Sequence, residues 1–286
     1  MIYIGLAGWG DHHLGESGRG KLTTYTGHFP IVELDSSFYA IQPERNMRKW
    51  NEETPEGFKF VVKAYQGMTG HLRGGQPFAN DGQMFKDFVS SIQPLLETGK
   101  LLAVLFQYPP WFECSKENVE NLREAKERME SISTKGNGKE ISLALEFRHQ
   151  SWFEGDMRER TLSFMKQEGW IHSICDEPQA GMGSVPIVLE STHTDAVIVR
   201  FHGRNVSGWT QKGRDNWREV RYLYRYSTEE LMEWKERLEL LQKQVKDVFV
   251  IFNNNSGGDA AGNAKQLMAM LGIDYEGLAP RQLDLF

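Results

Sequence analysis

The chain has 286 residues, 40% of them hydrophobic and 25% charged, with a formal net charge of −6. That length and apolar fraction support a sizeable core in one large domain, and the negative balance excludes a wholly basic nucleic-acid coat while leaving room for a local basic patch. Cys114 and Cys175 are the only cysteines and lack metal-ligand spacing, which predicts a reducing, cytoplasmic setting without a disulfide framework. The first residues carry no secretory-signal pattern, and the central apolar run 101–106 is too short to cross a bilayer, so no membrane partner is expected.

Residues 2–7 predict a first strand, followed by Gly8-Trp9-Gly10 and a loop. Within that loop residues 15–21 approach a phosphate-binding P-loop, but Leu22 stands where the motif needs Ser or Thr, so a flexible loop is the better reading. Residues 31–35 predict strand two, running into Ser36-Ser37-Phe38-Tyr39, and a short helix then has Pro43 near its first turn. Strand three spans 58–64 with Lys63 near its end, and a helix bearing Phe85, Phe88, Val89, Ile92 and Leu95 follows. Strand four, 101–106, stops at Gln107-Tyr108-Pro109-Pro110, because proline cannot continue a sheet ladder. Ser115 caps a helix with Val119, Leu122, Ala125, Met129 and Ile132 on one face.

Strand five opens with Leu143-Ala144-Leu145 and ends in Glu146-Phe147-Arg148-His149. A run that is apolar from its first residue reads as a strand buried on both faces, with its charges gathered at a solvated mouth or paired together. A helix around 157–164 ends at Gly169, strand six covers 170–175, and Asp176-Glu177-Pro178 closes it. Strand seven, 196–203, contains Arg200 and His202. Ser227 and Glu230 form a capping box before a helix with Leu231, Trp234, Leu238 and Leu241 inward. Strand eight, 248–252, leads into Asn253-Asn254 and Ser256-Gly257-Gly258, and a last helix near 260–271 ends at Gly272. Eight apolar strands alternating with helices, with no linker, predict an α/β fold: a single (β/α)8 TIM barrel over 1–279, followed by a tail, 280–286.

In such barrels the functional face is built from the C-terminal strand ends. Here these supply Glu33, Lys63, Gln107, Glu146, Arg148, Asp176, Arg200, His202, Asn253 and Asn254. Glu33, Glu146, Asp176 and His202 suit a divalent metal, unless Lys63, Arg148 and Arg200 neutralise the carboxylates directly. A cationic centre instead suits an anionic substrate clamped by Arg148 and Arg200, with Gly257 and Gly258 cradling a phosphate at a helix start or merely capping it. Lys63 is also a Schiff-base candidate if desolvated. The expected activity is metal-assisted or acid/base chemistry of the phosphoester-hydrolase type. Its substrate would be phosphorylated or derived from nucleic acid, with Glu146 as base or ligand, Lys63 and Arg148 stabilising charge, and Arg200 and His202 contacting substrate. Residues 200–226 interleave basic side chains with Trp209, Trp217, Tyr222, Tyr224 and Tyr226, a pattern suited to single-stranded nucleic acid or to a solvated loop packed on the barrel. The last residues, Gln282, Leu283, Asp284, Leu285 and Phe286, look like the peptide by which bacterial polymerases and repair proteins dock on the sliding clamp. A clamp-tethered, non-catalytic accessory in DNA maintenance is therefore the alternative function; a tail folded back on the barrel would remove it.

With these motifs assembled, the chain resembles the YecE-like family, domain of unknown function 72. The likeness runs through Gly5-Leu6-Ala7-Gly8-Trp9, Glu33-Leu34-Asp35-Ser36-Ser37-Phe38-Tyr39 and Phe58 to Lys63. It continues through Gln107-Tyr108-Pro109-Pro110, Glu146-Phe147-Arg148-His149, Arg200-Phe201-His202-Gly203 and Phe252-Asn253-Asn254. The resemblance implies a TIM barrel and a pocket at these residues, and it carries no established reaction. The first loop departs from the family's aromatic-rich pattern, carrying Asp11-His12-His13 and glycines.

Overall fold

Short runs that are apolar on both faces suit strands held between a barrel interior and an outer helical layer. In the computed structural model those runs are β1 Ile2–Ala7, β2 Ile31–Leu34, β3 Lys59–Lys63, β4 Leu101–Gln107, β5 Leu143–Glu146, β6 Ile171–Asp176, β7 Ala196–Phe201 and β8 Asp247–Phe252. They are parallel and close into a barrel in sequence order. The structure describes residues 1–12, 14, 22–72, 74–75, 77–136 (134–136 as backbone), 140–210 and 220–280. Around the barrel lie α1 Leu22–Tyr25, α2 Ser36–Tyr39, α3 Glu44–Glu52, α4 Asp81–Glu97, α5 Lys116–Gly136, α6 Met157–Glu168, α7 Val206–Thr210, α8 Thr228–Leu241 and α9 Asp259–Leu271. The fold is the (β/α)8 barrel that the strand pattern predicts. No helix among the described residues is long and apolar enough to cross a membrane.

Side chains that alternate along each strand divide into two sets. Ile31, Val61, Ala103, Leu105, Ala144, Ile171, Ile198 and Ile251 form the inner cluster that plugs the barrel. The other parity, including Val32, Val62, Phe106 and Phe201, packs under the helices. Register then carries the inward parity upward. Glu33 is aligned with Ala7 and Val61, Gln107 with Glu146, and Cys175 with Arg200.

The helix ends follow their local chemistry. The Ser227 hydroxyl accepts from Glu230 N at 3.2 Å while Glu230 accepts from Ser227 N at 2.9 Å, completing the capping box of α8. Gly169 and Gly272 end α6 and α9 with φ of 73° and 63°, a left-handed conformation that glycine adopts at low cost. Between β1 and β2 the Tyr25 hydroxyl accepts from Leu6 N at 2.8 Å and donates to Ile31 O at 2.7 Å, standing in for part of the ladder. Gly5 is required beside it, since a Cβ there would lie 2.0 Å from Ile31 O.

One connection departs from the expected alternation. Residues 177–195, between β6 and β7, contain no helix. Pro178 and Pro186 remove backbone donors from this stretch. It covers the flank as an irregular strap instead, burying Val185 and Val188 and tying Thr192 Oγ1 to Trp170 O at 2.6 Å. Near the end of the described chain Ala279 N donates to Thr26 O at 3.1 Å, before β2 begins and so on the N-terminal side of the barrel. The clamp-like residues Gln282, Leu283, Leu285 and Phe286 lie outside the described residues.

Candidate active site at the strand ends

Because β2, β5 and β7 deliver their last inward residues to one level, Glu33, Glu146 and Arg200 meet in the barrel mouth. Arg200, 1% exposed, donates Nε to Glu33 Oε2 at 2.8 Å and Nη1 to Glu146 Oε2 at 2.8 Å and Gln107 Oε1 at 3.2 Å. Glu146 also accepts from Arg148 Nε at 2.8 Å and from Ser173 Oγ at 2.9 Å. Arg148 reaches Glu177 through Nη1 and His202 Nε2 through Nη2, the latter at 3.1 Å. Asn253 Nδ2 lies 3.1 Å from His202 Nδ1. Charges buried this deeply persist only when each is paired and hydrogen-bonded, and here each is.

The electrostatics split the two glutamates. Burial alone would raise the Glu146 carboxyl, but Arg200 and Arg148 hold it well below the usual carboxylate range. Glu33 is raised, because burial outweighs Arg200 and Lys63. Burial, then Arg148 and Arg200, hold the His202 imidazole well below its ordinary value, so it is neutral at physiological pH. Glu146 is thus a permanent anion rather than a proton shuttle. The role of general base expected for it does not suit a carboxylate already accepting from Arg200, Arg148 and Ser173.

Above this closed layer lies a more open one. Lys63 Nζ donates to Asp35 Oδ1 at 2.8 Å and sits 4.5 Å from the Phe38 ring centroid. Burial lowers the Lys63 ammonium and Arg200 adds to this, but Asp35 and Glu33 together outweigh them and the net shift is upward. Lys63 therefore stays protonated, which sets aside the Schiff-base role. Asp35, Gln107 and Asn253 are partly exposed, and Lys63 joins them with its side chain 10% exposed. Facing Arg148 on the other flank, Trp209 has the Arg148 guanidinium 5.5 Å from its ring centroid and that of Arg221 at 3.5 Å.

Several expected residues go elsewhere. Asp176 has the outward parity of β6: Arg204 grips it from Nε at 2.9 Å, the Trp234 indole donates to it, and Arg204 also holds Glu230 at 3.1 Å. Asn254 is buried beneath the mouth's edge, donating to Tyr224 O at 2.9 Å and Asn263 Oδ1 at 3.0 Å. At Gly257 a Cβ would come 2.8 Å from Leu223, and Gly258, φ 78°, turns into α9, whose first turn carries the Asp259 carboxylate. The negative charge in that first turn disfavours a phosphate there. His149 bonds Ser151 Oγ at 2.7 Å. The metal set Glu33, Glu146, Asp176 and His202 does not converge. Glu146, Cys175 and His202 do bring ligand atoms within 4.8 Å of one another, but the Arg148 and Arg200 guanidiniums already donate to Glu146 in the same space. The arginine clamp is likewise already engaged, with Arg200 on Glu33 and Glu146 and Arg148 on Glu146 and Glu177. In the basic segment, Arg204 and Arg221 turn inward, while Lys212, Arg214, Trp217 and Arg218 lie outside the described residues.

Sequence reasoning missed Glu177, Ser173 and Cys175 as members of the cluster. Inward alternation from Ile171 selects Ser173 and Cys175, and Glu177 carries the parity onward past the strand.

Comparison with known proteins agrees with this architecture. Residues 3–284 match the family model described as "Protein of unknown function DUF72". The UPF0759 protein YunF of Bacillus subtilis is 60% identical with complete coverage of both chains. Among solved structures, a DUF72 family protein from Enterococcus faecalis V583 has a TM-score of 0.91 at 37% identity, covering 99% of this chain and 100% of that one. One from Thermotoga maritima MSB8 has a TM-score of 0.76 at 30% identity, covering 96% and 100%.

Proposed function

The chain belongs to the DUF72 family, and from that membership and the geometry of the mouth we propose an enzyme acting on an anionic substrate, phosphorylated or derived from nucleic acid. The carrying observation is the Lys63–Asp35 pair, a protonated donor and an accessible acceptor at one rim of a floor whose other charges are internally paired. Lys63 has spent one N–H on Asp35, and Gln107, whose carbonyl oxygen faces Arg200, has its amide group left to donate. Both suit a substrate oxyanion. Asp35 then takes the proton of a water attacking phosphorus, Lys63 stabilises the charge that develops, and the ester P–O bond breaks with the departing oxygen taking the proton back from Asp35. Beneath them the Glu33–Arg200–Glu146 bridge holds Gln107 in place; it positions without reacting.

The test is turnover of phosphate monoesters and nucleotides followed by 31P NMR, with wild type, Lys63→Met and Asp35→Asn. Product formation by wild type alone is expected. Absence of both turnover and any phosphate-induced rise in Tm in the wild type would sink the proposal.

A second reading, attachment to the sliding clamp through Gln282, Leu283, Leu285 and Phe286, is favoured by the bond from Ala279 to Thr26. The bond holds Ala279, the last residue but one of the described chain, beside Thr26 and away from the strand ends, which supports a clamp contact that leaves the mouth open. Burial of Leu285 and Phe286, each worth roughly 1.5–3 kcal/mol, against the ordering of a short peptide gives micromolar affinity. Titration of clamp with the full chain and with a variant lacking the last five residues decides: equal binding by both, or by neither, removes this reading.

A further inference from the structure

We propose that the exposed indole of Trp111, backed by His71 and Phe38, is a stacking ledge for a neutral polar ring of the substrate, and that the cleft beyond it accommodates that group. The proposal rests on the reaction centre lying beside Lys63 and names the part of the substrate that the charged floor does not hold.

Trp111 is 52% exposed, yet its loop is firmly built. Tyr108 stacks on Phe112 at 4.1 Å, Phe112 stacks on Trp152 at 5.7 Å, and the Trp152 indole N–H donates to Phe112 O at 2.7 Å. A turn from Phe112 N to Pro109 O, 2.9 Å, and the fixed φ of Pro109 and Pro110 complete it. A large aromatic side chain held in water by such a loop has little freedom left to lose on binding and much area left to bury.

The ledge is continuous with the mouth. Lys63 Nζ lies against Phe38, the Phe38 and His71 rings meet edge to face at 4.9 Å, and His71 meets Trp111 at 5.9 Å. Burial, then Lys63 and Arg148, lower the His71 imidazole to about 4, so the ledge is uncharged at neutral pH. Past Trp111 opens a cleft of about 310 Å³ lined by Asn118, Asn121, Glu124 and Arg128. Arg128 is satisfied by Asp81 at 3.2 Å and Glu124 at 3.4 Å, leaving no excess positive charge there. An anionic group therefore stays at Lys63. A flat, uncharged ring with a hydrogen-bonding edge, a pyranose or a nucleobase, matches an indole face beside two amides.

The experiment uses the full chain and two families of uncharged probes, methyl glucosides and nucleosides, at millimolar concentration, read by saturation-transfer difference NMR. We expect transfer to one family, lost by about tenfold in Trp111→Ala and largely kept in Trp111→Phe. The family that responds identifies the ring. Transfer to neither family, or equal transfer with wild type and Trp111→Ala, overturns the ledge. Its failure is separable from that of the reaction centre, because ring binding is read without turnover and phosphate-ester turnover is read without the ring.

Discussion

Replacing Arg200 with Met removes the single cation that Glu33 and Glu146 share. The guanidinium is 1% exposed and donates at 2.8 Å to each of the two carboxylates. Met matches its apolar stem and supplies no donor. Breaking a buried pair by deleting one partner costs about 3–5 kcal/mol, which for a chain of this size is roughly 6–10 °C of Tm. The sign of the pH dependence follows from the carboxyls. In the native fold Glu146 lies below its ordinary 4.5, so its contribution is complete above that value and fades as pH falls through the folded one. In the variant Glu33 loses its guanidinium and Glu146 keeps Arg148 alone, so both buried carboxyls move upward and bind protons more readily in the folded state. The deficit is therefore largest near neutrality and shrinks toward about pH 5. Thermal unfolding followed by far-ultraviolet circular dichroism measures it at both pH values. Adding Glu33→Gln and Glu146→Gln to the variant should restore much of the loss at neutral pH, since amides do not require the cation. A drop under about 2 °C at neutral pH, or equal drops at both, refutes the reasoning.

Gly5→Ala should be among the most disruptive single-methyl changes, costing about 3 kcal/mol or failing to yield folded protein, because its Cβ meets Ile31 O at 2.0 Å; an unchanged Tm contradicts the close packing of β1 on β2. Tyr25→Phe strands the buried Leu6 N–H and Ile31 carbonyl at a cost of about 1–3 kcal/mol, and fast hydrogen exchange at Leu6 in the variant is the accompanying signature. His71 and His172 are each lowered to about 4, by burial first, with Lys63 and Arg148 adding to it at His71. Their rings should stay neutral in NMR spectra until pH approaches 4, and stability should fall as pH drops from about 6.5 toward 4, since the unfolded chain takes up those protons first. Midpoints near 6.5 would contradict the burial of both rings.

The strands were legible because eight apolar runs of the right length, punctuated by Pro, Gly and capping residues, admit few other arrangements. Which face each terminal residue takes was harder to read. A strand buried on both sides shows no hydrophobic alternation, so nothing in Ile174-Cys175-Asp176 marks Cys175 as inward and Asp176 as outward. Glu146 and Lys63 reach the mouth because their strands end on inward parity, and Arg200 because it is the last inward residue of β7, one before its outward end at Phe201. Net charge misled in the same way: counting Lys63, Arg148 and Arg200 suggested a cationic centre, and Glu177, one residue past β6, restores the balance through Arg148. Between strands six and seven the sequence offers no helix of its own, and the two prolines of the 177–195 strap are consistent with that.

That strap has a dynamic consequence. Its amides rely on local turns, such as Ser184 N to Gly181 O at 3.1 Å and Glu190 N to Val188 O at 3.0 Å, rather than on a helical ladder. Segments held this way open at lower free energy than barrel strands. Glu177 ties this one to the floor, accepting from Val185 N at 2.7 Å with one oxygen and from Arg148 with the other. Local opening that frees Val185 also loosens the carboxylate on which Arg148 rests, and any ligand that draws on Arg148 alters how firmly Val185 is held. Solvent protection of the Val185 amide is therefore a reporter, on the outer flank, of the ionic state at the strand ends.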